Sequence, residues 1–373
     1  MNVRALNLTI FFLTIGFIAF GLLVIYDVSV VESFATFGDA YYFLRSQALW
    51  AAISVVGLII VSKIPTKWWL SLGPILFGLA VLLLIGVLIP SIGVRVGGAR
   101  RWLSIAGFSL QPAELMKMGL VLYLSTWLLK PRRFLSFALL IGLLFGLIML
   151  QPDLGSGLIL LSIAAGMYIG AGKPIKHLIW MFGAGIVGIL LLILVSPYRM
   201  QRLTTFLNPE SDPQGKSYHI RQITIALGNG GLFGQGIGKS KQKYRYIPEA
   251  STDSIFAIMA EELGFAVCGM IIIGYMTLVY RMSAKVEILE QGSAPQLLAL
   301  GILTWIAAQI LVNLSSVVAL IPLTGVPLPF ISYGGTALLS LCIAIGLFIG
   351  IPTTIGTTTP HKRLIHKIRR HSI

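Results

Sequence analysis

The chain has 373 residues, 56% of them hydrophobic and only 11% charged, with a mean hydropathy of +0.89 and a formal net charge of +15. Soluble domains are on average roughly a quarter charged, so a soluble globular enzyme, a disordered chain and a fibrous repeat are excluded. A transmembrane barrel would show short alternating segments where this chain has long apolar blocks, which leaves an all-α integral membrane protein.

About 20 apolar residues cross a bilayer core at ~1.5 Å rise per residue. The first block, Leu8–Tyr26, has no charged residue. It is too long for a signal-peptide core and no small-residue cleavage site follows it, so it is read as a retained helix. Further blocks run over Gln47–Ser62, Leu70–Ile89, Ala113–Leu129, Phe134–Leu150, Leu154–Gly172 and Leu178–Val195. A polar, Gly-rich stretch, Ser196–Ser254, then separates these from Ile255–Tyr280, Pro295–Leu320 and Ser332–Ile351. The last two lie in a region, Gly292–Pro360, without one Asp, Glu, Lys or Arg, and the Pro322, Pro327 and Pro329 cluster breaks it in two. The expected architecture is therefore one membrane domain over 1–373. It has about ten transmembrane helices, a long extracytoplasmic loop (196–254) between the seventh and eighth, and a basic tail (360–373).

Ten spans place both termini on one side. That side holds Arg4, Lys63, Lys67, Lys130, Arg132, Arg133, Lys173, Lys176, Arg281, Lys285 and the tail cations, against Arg45, Arg95, Arg100, Arg101 and Lys117 in the short opposite connections. The bias puts both termini in the cytoplasm of a cytoplasmic (inner) membrane. It also explains the positive charge through topology and anionic lipid, with no need for nucleic acid. Only Glu287 and Glu290 among the acidic residues fall on the cytoplasmic side, which points to chemistry at the outer face. Cys268 and Cys342 lie in apolar stretches and read as small buried residues.

Several motifs carry polar chemistry to the outer ends of the spans. Gly97-Gly98-Ala99-Arg100-Arg101-Trp102 sets two arginines beside an aromatic, and arginine suits bidentate phosphate contact or interface anchoring. Gln111-Pro112-Ala113-Glu114-Leu-Met-Lys117 places Glu114 and Lys117 on one helix face, as a structural ion pair or as the lining of a polar cavity. Asp153, in Gln151-Pro152-Asp153, fits a short turn. The run Gly228–Gln242 ends in Gly238-Lys239-Ser240, but Phe233 stands where a P-loop needs its first glycine and no strand precedes it, so nucleotide binding is rejected. A glycine-rich turn followed by Lys239, Lys241, Lys243 and Arg245 can still bind an anion such as a diphosphate. Ser251, Thr252 and Asp253 are N-cap types directly before an apolar run, so Asp253 belongs at the outer mouth of the eighth span. Glu261 and Glu262 lie deeper on the same helix, where a carboxylate is expensive and faces protein or water. Ser332 sits in a Pro/Gly-rich segment, Gly325–Gly335, of the kind that lines cavities at membrane depth.

These stretches, in the same order along nearly the whole chain, resemble the SEDS family of membrane peptidoglycan polymerases, the FtsW/RodA type. The matching segments are Gly98–Trp102, Gln111–Lys117, Gln151–Ser156, Asn208–Gln222, Gly231–Gly238, Tyr246–Gly264 and Gly325–Gly335. The run Ile247–Asp253, with Gln242-Lys243 before it, looks more like the division branch, FtsW. Ala113, Ser251 and Ser254 stand where the family more often has Ser, His and Phe.

The resemblance implies polymerisation of lipid II into glycan strands at the outer leaflet, by inverting glycosyl transfer. Asp253 is then the general base on the acceptor hydroxyl. Arg101, Glu114, Lys117, Asp153, Lys239 and Ser332 are substrate-contacting, and a divalent cation (Mg or Mn) is an optional helper at the diphosphate. The implied partner is a class B penicillin-binding protein, alongside lipid II, the nascent strand and membrane lipids. A lipid II transporter and a non-catalytic division scaffold are the competing readings. The first would favour charge through the whole membrane depth and an inverted repeat, and neither is seen.

Overall fold

The structure, a computed structural model, describes residues 2–96, 99–105, 108–195, 200, 204, 218–240, 242–243 and 250–352. The basic tail, Lys241, Arg245 and most of 196–217 lie outside these residues. The helices are α1 (Val3–Phe37), α2 (Tyr42–Lys63), α3 (Thr66–Gly86), α4 (Pro112–Trp127), α5 (Phe134–Leu150), α6 (Leu154–Gly170), α7 (Ile175–Val195), α8 (Tyr218–Asn229), α9 (Ile255–Glu287), α10 (Ala294–Val317) and α11 (Gly335–Gly350). Each apolar block of the sequence overlaps one of these helices, and five of the blocks run one to three residues past a helix end. α1, α2, α3, α9 and α10 are long and apolar enough to cross a membrane; α5, α6, α11 and residues 175–188 of α7 are apolar but shorter. The chain is a multi-pass membrane protein.

Neighbouring helices build the bundle: α2 packs parallel to α11, with Gly335, Gly346 and Gly350 against Trp50, Leu58 and Ser62 in turn, while α3 packs along α4, α6 along α10, and α1 along both α2 and α9. The elements thus sort into two ends. At one end Lys285, fully buried, donates from Nζ to Asn7 Oδ1 (2.9 Å), Phe348 O (2.7 Å) and Ile349 O (3.0 Å). A cation there satisfies the orphan carbonyls that close α11 and ties them to the start of α1. We call this the basic end. The opposite end gathers the outer motifs.

Two features depart from a reading of connected spans. The strands β1 (Gly93–Val96), β2 (Ala99–Ile105) and β3 (Phe108–Leu110) form a three-stranded antiparallel sheet, with Gly93 opposite Leu103 and Leu103 opposite Leu110. Short apolar-alternating runs separated by Gly97-Gly98 and Ala106-Gly107 are hairpin signals, overlooked because the stretch is short. The long loop also holds a helix, α8, which packs Ile223 and Ala226 inward against α9.

The Gly-rich run is not a free basic loop. α9 breaks its regular backbone at Gly264 (φ 76°, ψ 179°), a conformation open only to glycine. The break frees backbone groups on both sides, and the run inserts to satisfy them. Gln235 N donates to Glu261 O, Gly236 N to Glu262 O, Phe265 N to Gly231 O and Ala266 N to Leu232 O, all at 2.9–3.0 Å. The side chains of Glu261 and Glu262 complete the clamp: Glu262 accepts from Gly238 N (3.1 Å) and Ser240 N (2.9 Å), and Glu261 from Ser240 Oγ. A Cβ at Gly264 would lie 2.7 Å from Leu232 O, whereas one at Gly269 meets nothing within 4 Å. Gly264→Ala should therefore lower thermal stability by several degrees in detergent while Gly269→Ala leaves it unchanged or raised; equal melting of the two variants would contradict the inserted-loop geometry.

Candidate active site

Asp253 occupies the position ahead of Ser254, the N-cap residue of α9, rather than the cap itself. It is 7% exposed, and its carboxylate Oδ1 accepts from Ser254 Oγ at 3.3 Å. Two neighbours fix it. Asn313 of α10 donates from Nδ2 to Asp253 O (3.0 Å) and to Val326 O (2.7 Å). His219 of α8 meets Ser254 Oγ through Nε2 at 3.0 Å. The backbone of the next residue group is tied as well, since Tyr333 N donates to Ser251 O at 2.9 Å.

One turn from Asn313 on the same face of α10 is Gln309. Its Oε1 accepts from Lys117 Nζ (3.3 Å) and Trp305 Nε1 (3.0 Å), and its Nε2 donates to Pro327 O (3.1 Å). Lys117 is 1% exposed; it bonds Glu114 Oε1 at 2.7 Å and lies 5.2 Å from the Trp305 ring centre. Of the two possibilities read from the motif, Glu114 and Lys117 form the buried ion pair. Glu114 Oε2 and Asn313 Oδ1 are buried and accept no hydrogen bond from the described residues.

The framework continues through the N-terminus of α4. Gln111, its N-cap residue, donates to Asp153 Oδ2 (3.3 Å). Asp153 caps α6, accepting from Ser156 N (3.0 Å) and Ser156 Oγ (2.8 Å). The sheet delivers Arg101 to the same turn, where Nε donates to Gln151 O at 2.9 Å and Nη2 to Pro152 O. Gly155 then lets α6 approach the 324–326 strand of chain, for a Cβ there would sit 2.9 Å from Thr324 O. Ser332 acts inside that segment: its Oγ accepts from Leu328 N at 2.9 Å.

The residues singled out in the sequence thus fall into three groups. Glu114, Lys117 and Asp253 are linked through Gln309, Asn313 and the adjacent Val326 and Pro327 carbonyls. Arg101, Asp153 and Gln111 meet at the turn before α6, and the start of α4, from its N-cap Gln111 to Lys117, joins the two clusters. Ser332 shapes the loop that Gln309 and Asn313 hold. Lys239 is exposed on the inserted run, whereas Lys243 beside it is buried and paired with Asp27 (3.0 Å) and Glu262 (3.1 Å). Burial alone would lower the Lys243 pKa; the bonds to Asp27 and Glu262 outweigh it and leave it raised, so the ammonium stays charged through neutral pH. Gln309, Asn313 and His219 were not read from the sequence. Two amides four residues apart in a helix with no charged residue were the available signal for the first two.

Among the described residues no group of three His, Cys, Asp or Glu converges on a point where a metal could sit. Asp153 is filled by its own cap, and Glu114 is balanced by Lys117.

The family model described as cell cycle protein, covering FtsW, RodA and SpoVE, matches residues 7–355. The chain belongs to this family. It is 34% identical to the stage V sporulation protein E of Bacillus subtilis, over 92% of this chain and 96% of that one. It is 36% identical to the probable peptidoglycan glycosyltransferase FtsW of Trichlorobacter lovleyi, over 92% of each. Among solved structures, the rod shape determining protein RodA of Thermus thermophilus superposes with a TM-score of 0.67 at 26% identity, covering 92% of this chain and 95% of that one. A chain of a peptidoglycan synthase complex that coordinates polymerization and crosslinking shares the fold, with a TM-score of 0.76 at 24% identity over 94% and 98% of the two chains.

Breaking a buried ion pair from one side costs about 3–5 kcal/mol because the remaining charge is stranded. Lys117→Met should therefore destabilise the protein strongly in thermal unfolding, and Lys117→Met with Glu114→Gln should recover much of the loss. Additive losses in the double variant would show that the two residues do not act as a pair.

Proposed function

We propose that this protein is a peptidoglycan glycosyltransferase that polymerises lipid II at the outer face of the bacterial cytoplasmic membrane. The observation that carries the reading is Asp253: a buried carboxylate at the mouth of α9, with its own main chain pinned by Asn313 and its neighbour held by His219. The name carried by FtsW relatives of this length supports the same activity.

In this mechanism the Asp253 carboxylate takes the proton of the acceptor sugar's 4-hydroxyl. The hydroxyl oxygen forms the new bond to the donor's anomeric carbon from the face opposite the diphosphate. The bond from that carbon to the diphosphate oxygen breaks, and the diphosphate leaves with the electron pair. A positioned base of this kind contributes roughly 10²–10⁴-fold. Diphosphate is already a good leaving group, so it needs positive charge more than it needs a proton. Lys239 is the exposed cation of the predicted set, whereas Lys117 is neutralised by Glu114 and Arg101 donates to two carbonyls. We assign Lys239 to the diphosphate, and give Arg101, Lys117, Glu114 and Asp153 the task of holding the acceptor and donor channels in shape around Asp253.

With the ten apolar blocks as spans, the distribution of charge favours both termini in the cytoplasm and the Asp253 end outside. A class B penicillin-binding protein is the proposed partner, engaged through the long loop.

The test is polymerisation of purified lipid II by the protein with its transpeptidase partner. Asp253→Asn should lower the rate at least about a hundredfold with expression, melting and partner binding intact. Lys239→Gln should weaken turnover without altering stability. Normal strand synthesis by folded Asp253→Asn would remove the base, and lipid II movement without synthesis would return the transporter reading.

A further inference from the structure

The basic end carries a second feature that the glycosyl-transfer site does not use. A shallow indentation, open to solvent and enclosing little more than the room of a water molecule, forms where the α4–α5 connection meets the α6–α7 turn. Lys130, Arg132, Arg133 and Lys173 line it, over a floor made by Trp127, Phe134 and Tyr168. None of the four cations has an ion-pair partner among the described residues. Like charges held this close repel one another, and soluble domains usually intersperse them with acids. Here no acidic side chain lines the cleft.

The aromatic floor is fixed rather than adaptable. The Arg132 guanidinium lies 5.1 Å from the Trp127 ring centre. His177 stacks on Phe134 at 4.5 Å and bonds the Tyr168 hydroxyl through Nδ1 at 2.7 Å. The start of α5 opens at the same place: Arg133 is its N-cap position, no side chain caps it, and its first turn contains no acid. A helix N-terminus with unsatisfied N–H groups adds to the attraction for an anion.

We infer that this cleft is a binding site for the phosphodiester headgroup of an anionic phospholipid. A headgroup is favoured over a free phosphate because apolar surface runs on from the cleft. Leu135 and Leu139 of α5 and Ile175 and Ile179 of α7 are each more than 60% exposed, giving acyl chains a surface to lie against. The cations would meet the phosphate, Trp127 and Phe134 the glycerol and upper chain, and the neighbouring helices the tails. The site lies at the end of the bundle opposite Asp253, so it does not depend on the proposed chemistry. It requires only that the helices sit in a bilayer with this end at headgroup level.

The test uses the full chain, purified in detergent, stripped of lipid and titrated with dioleoylphosphatidylglycerol or dioleoylphosphatidylcholine while bound lipid is counted by native mass spectrometry. Three forms are compared: the parent chain, Lys130→Gln/Arg132→Gln/Lys173→Gln, and a control, Arg4→Gln/Lys63→Gln/Lys67→Gln, that removes the same charge from exposed positions elsewhere at the same end. The parent and control should hold phosphatidylglycerol at least tenfold more tightly than phosphatidylcholine, and the cleft variant should lose that preference. A preference that survives in the cleft variant overturns the site. Displacement of the lipid by 10 mM inorganic phosphate overturns the headgroup assignment in favour of a soluble anion. Should the triple variant fail to fold, Arg132→Gln and Lys173→Gln singly should each weaken phosphatidylglycerol binding about fivefold, and no weakening in either has the same overturning force.

Discussion

A charge taken out of water must be met by another charge or by well-placed dipoles, and in a lipid-embedded bundle water cannot be relied on to repair a failure. The end of the bundle that holds Asp253 is organised by that demand. Lys117, almost without solvent contact, needs Glu114 and the Gln309 amide. Gln309, once committed to Lys117, fixes the Pro327 carbonyl; Asn313, one turn on, fixes Val326 and Asp253. A single helix, α10, thereby sets the distance between an ion pair on α4 and a carboxylate ahead of α9. The Pro/Gly-rich 325–334 segment has few regular backbone bonds of its own and relies on these amides, on Ser332 and on Gln47 for its shape.

The same logic operates in the long loop. A helix break at depth exposes backbone groups, and the Gly-rich run supplies partners for them. Glu261 and Glu262 then face polar N–H and hydroxyl donors instead of hydrocarbon, and Lys243 brings compensating charge from the same loop to Glu262 and to Asp27 of α1. The result couples α1, α9 and the loop carrying Lys239. At the opposite end, Lys285 does the corresponding work for α1, α9 and α11, so the bundle is clasped by buried lysines at both ends.

Much of this was legible in the sequence because hydropathy and the cost of buried charge act over many residues at once. The apolar blocks read from hydropathy overlap the apolar helices of the structure. Asp253, Glu114 and Lys117 stood out because a charged residue at a helix mouth needs a reason. What stayed hidden depended on partners distant in the chain. Glu261 and Glu262 were visible as costly, but not that the run from Gly230 to Ser240 would fold into the Gly264 break. Asn313 and Gln309, neutral amides in an uncharged region, gave too faint a signal beside the acids. Arg101 suits phosphate contact or interface anchoring by sequence, and the sheet that no hydropathy window reveals brings its guanidinium to the carbonyls of Gln151 and Pro152. The resemblance of the ordered motifs conveyed the family; only the side-chain network says how the members of the site hold one another.

The account rests on an ionised carboxylate at residue 253 accepting the acceptor sugar's proton. The most direct measurement is the pH dependence of single-turnover strand extension from about pH 4 to 8, in the parent protein and in Asp253→Glu, with folding followed in parallel. The account predicts a rate that climbs with unit slope through an acidic limb and then levels, with the limb retained at a lower plateau when glutamate replaces aspartate. A rate that stays flat across that range while the protein remains folded would contradict it.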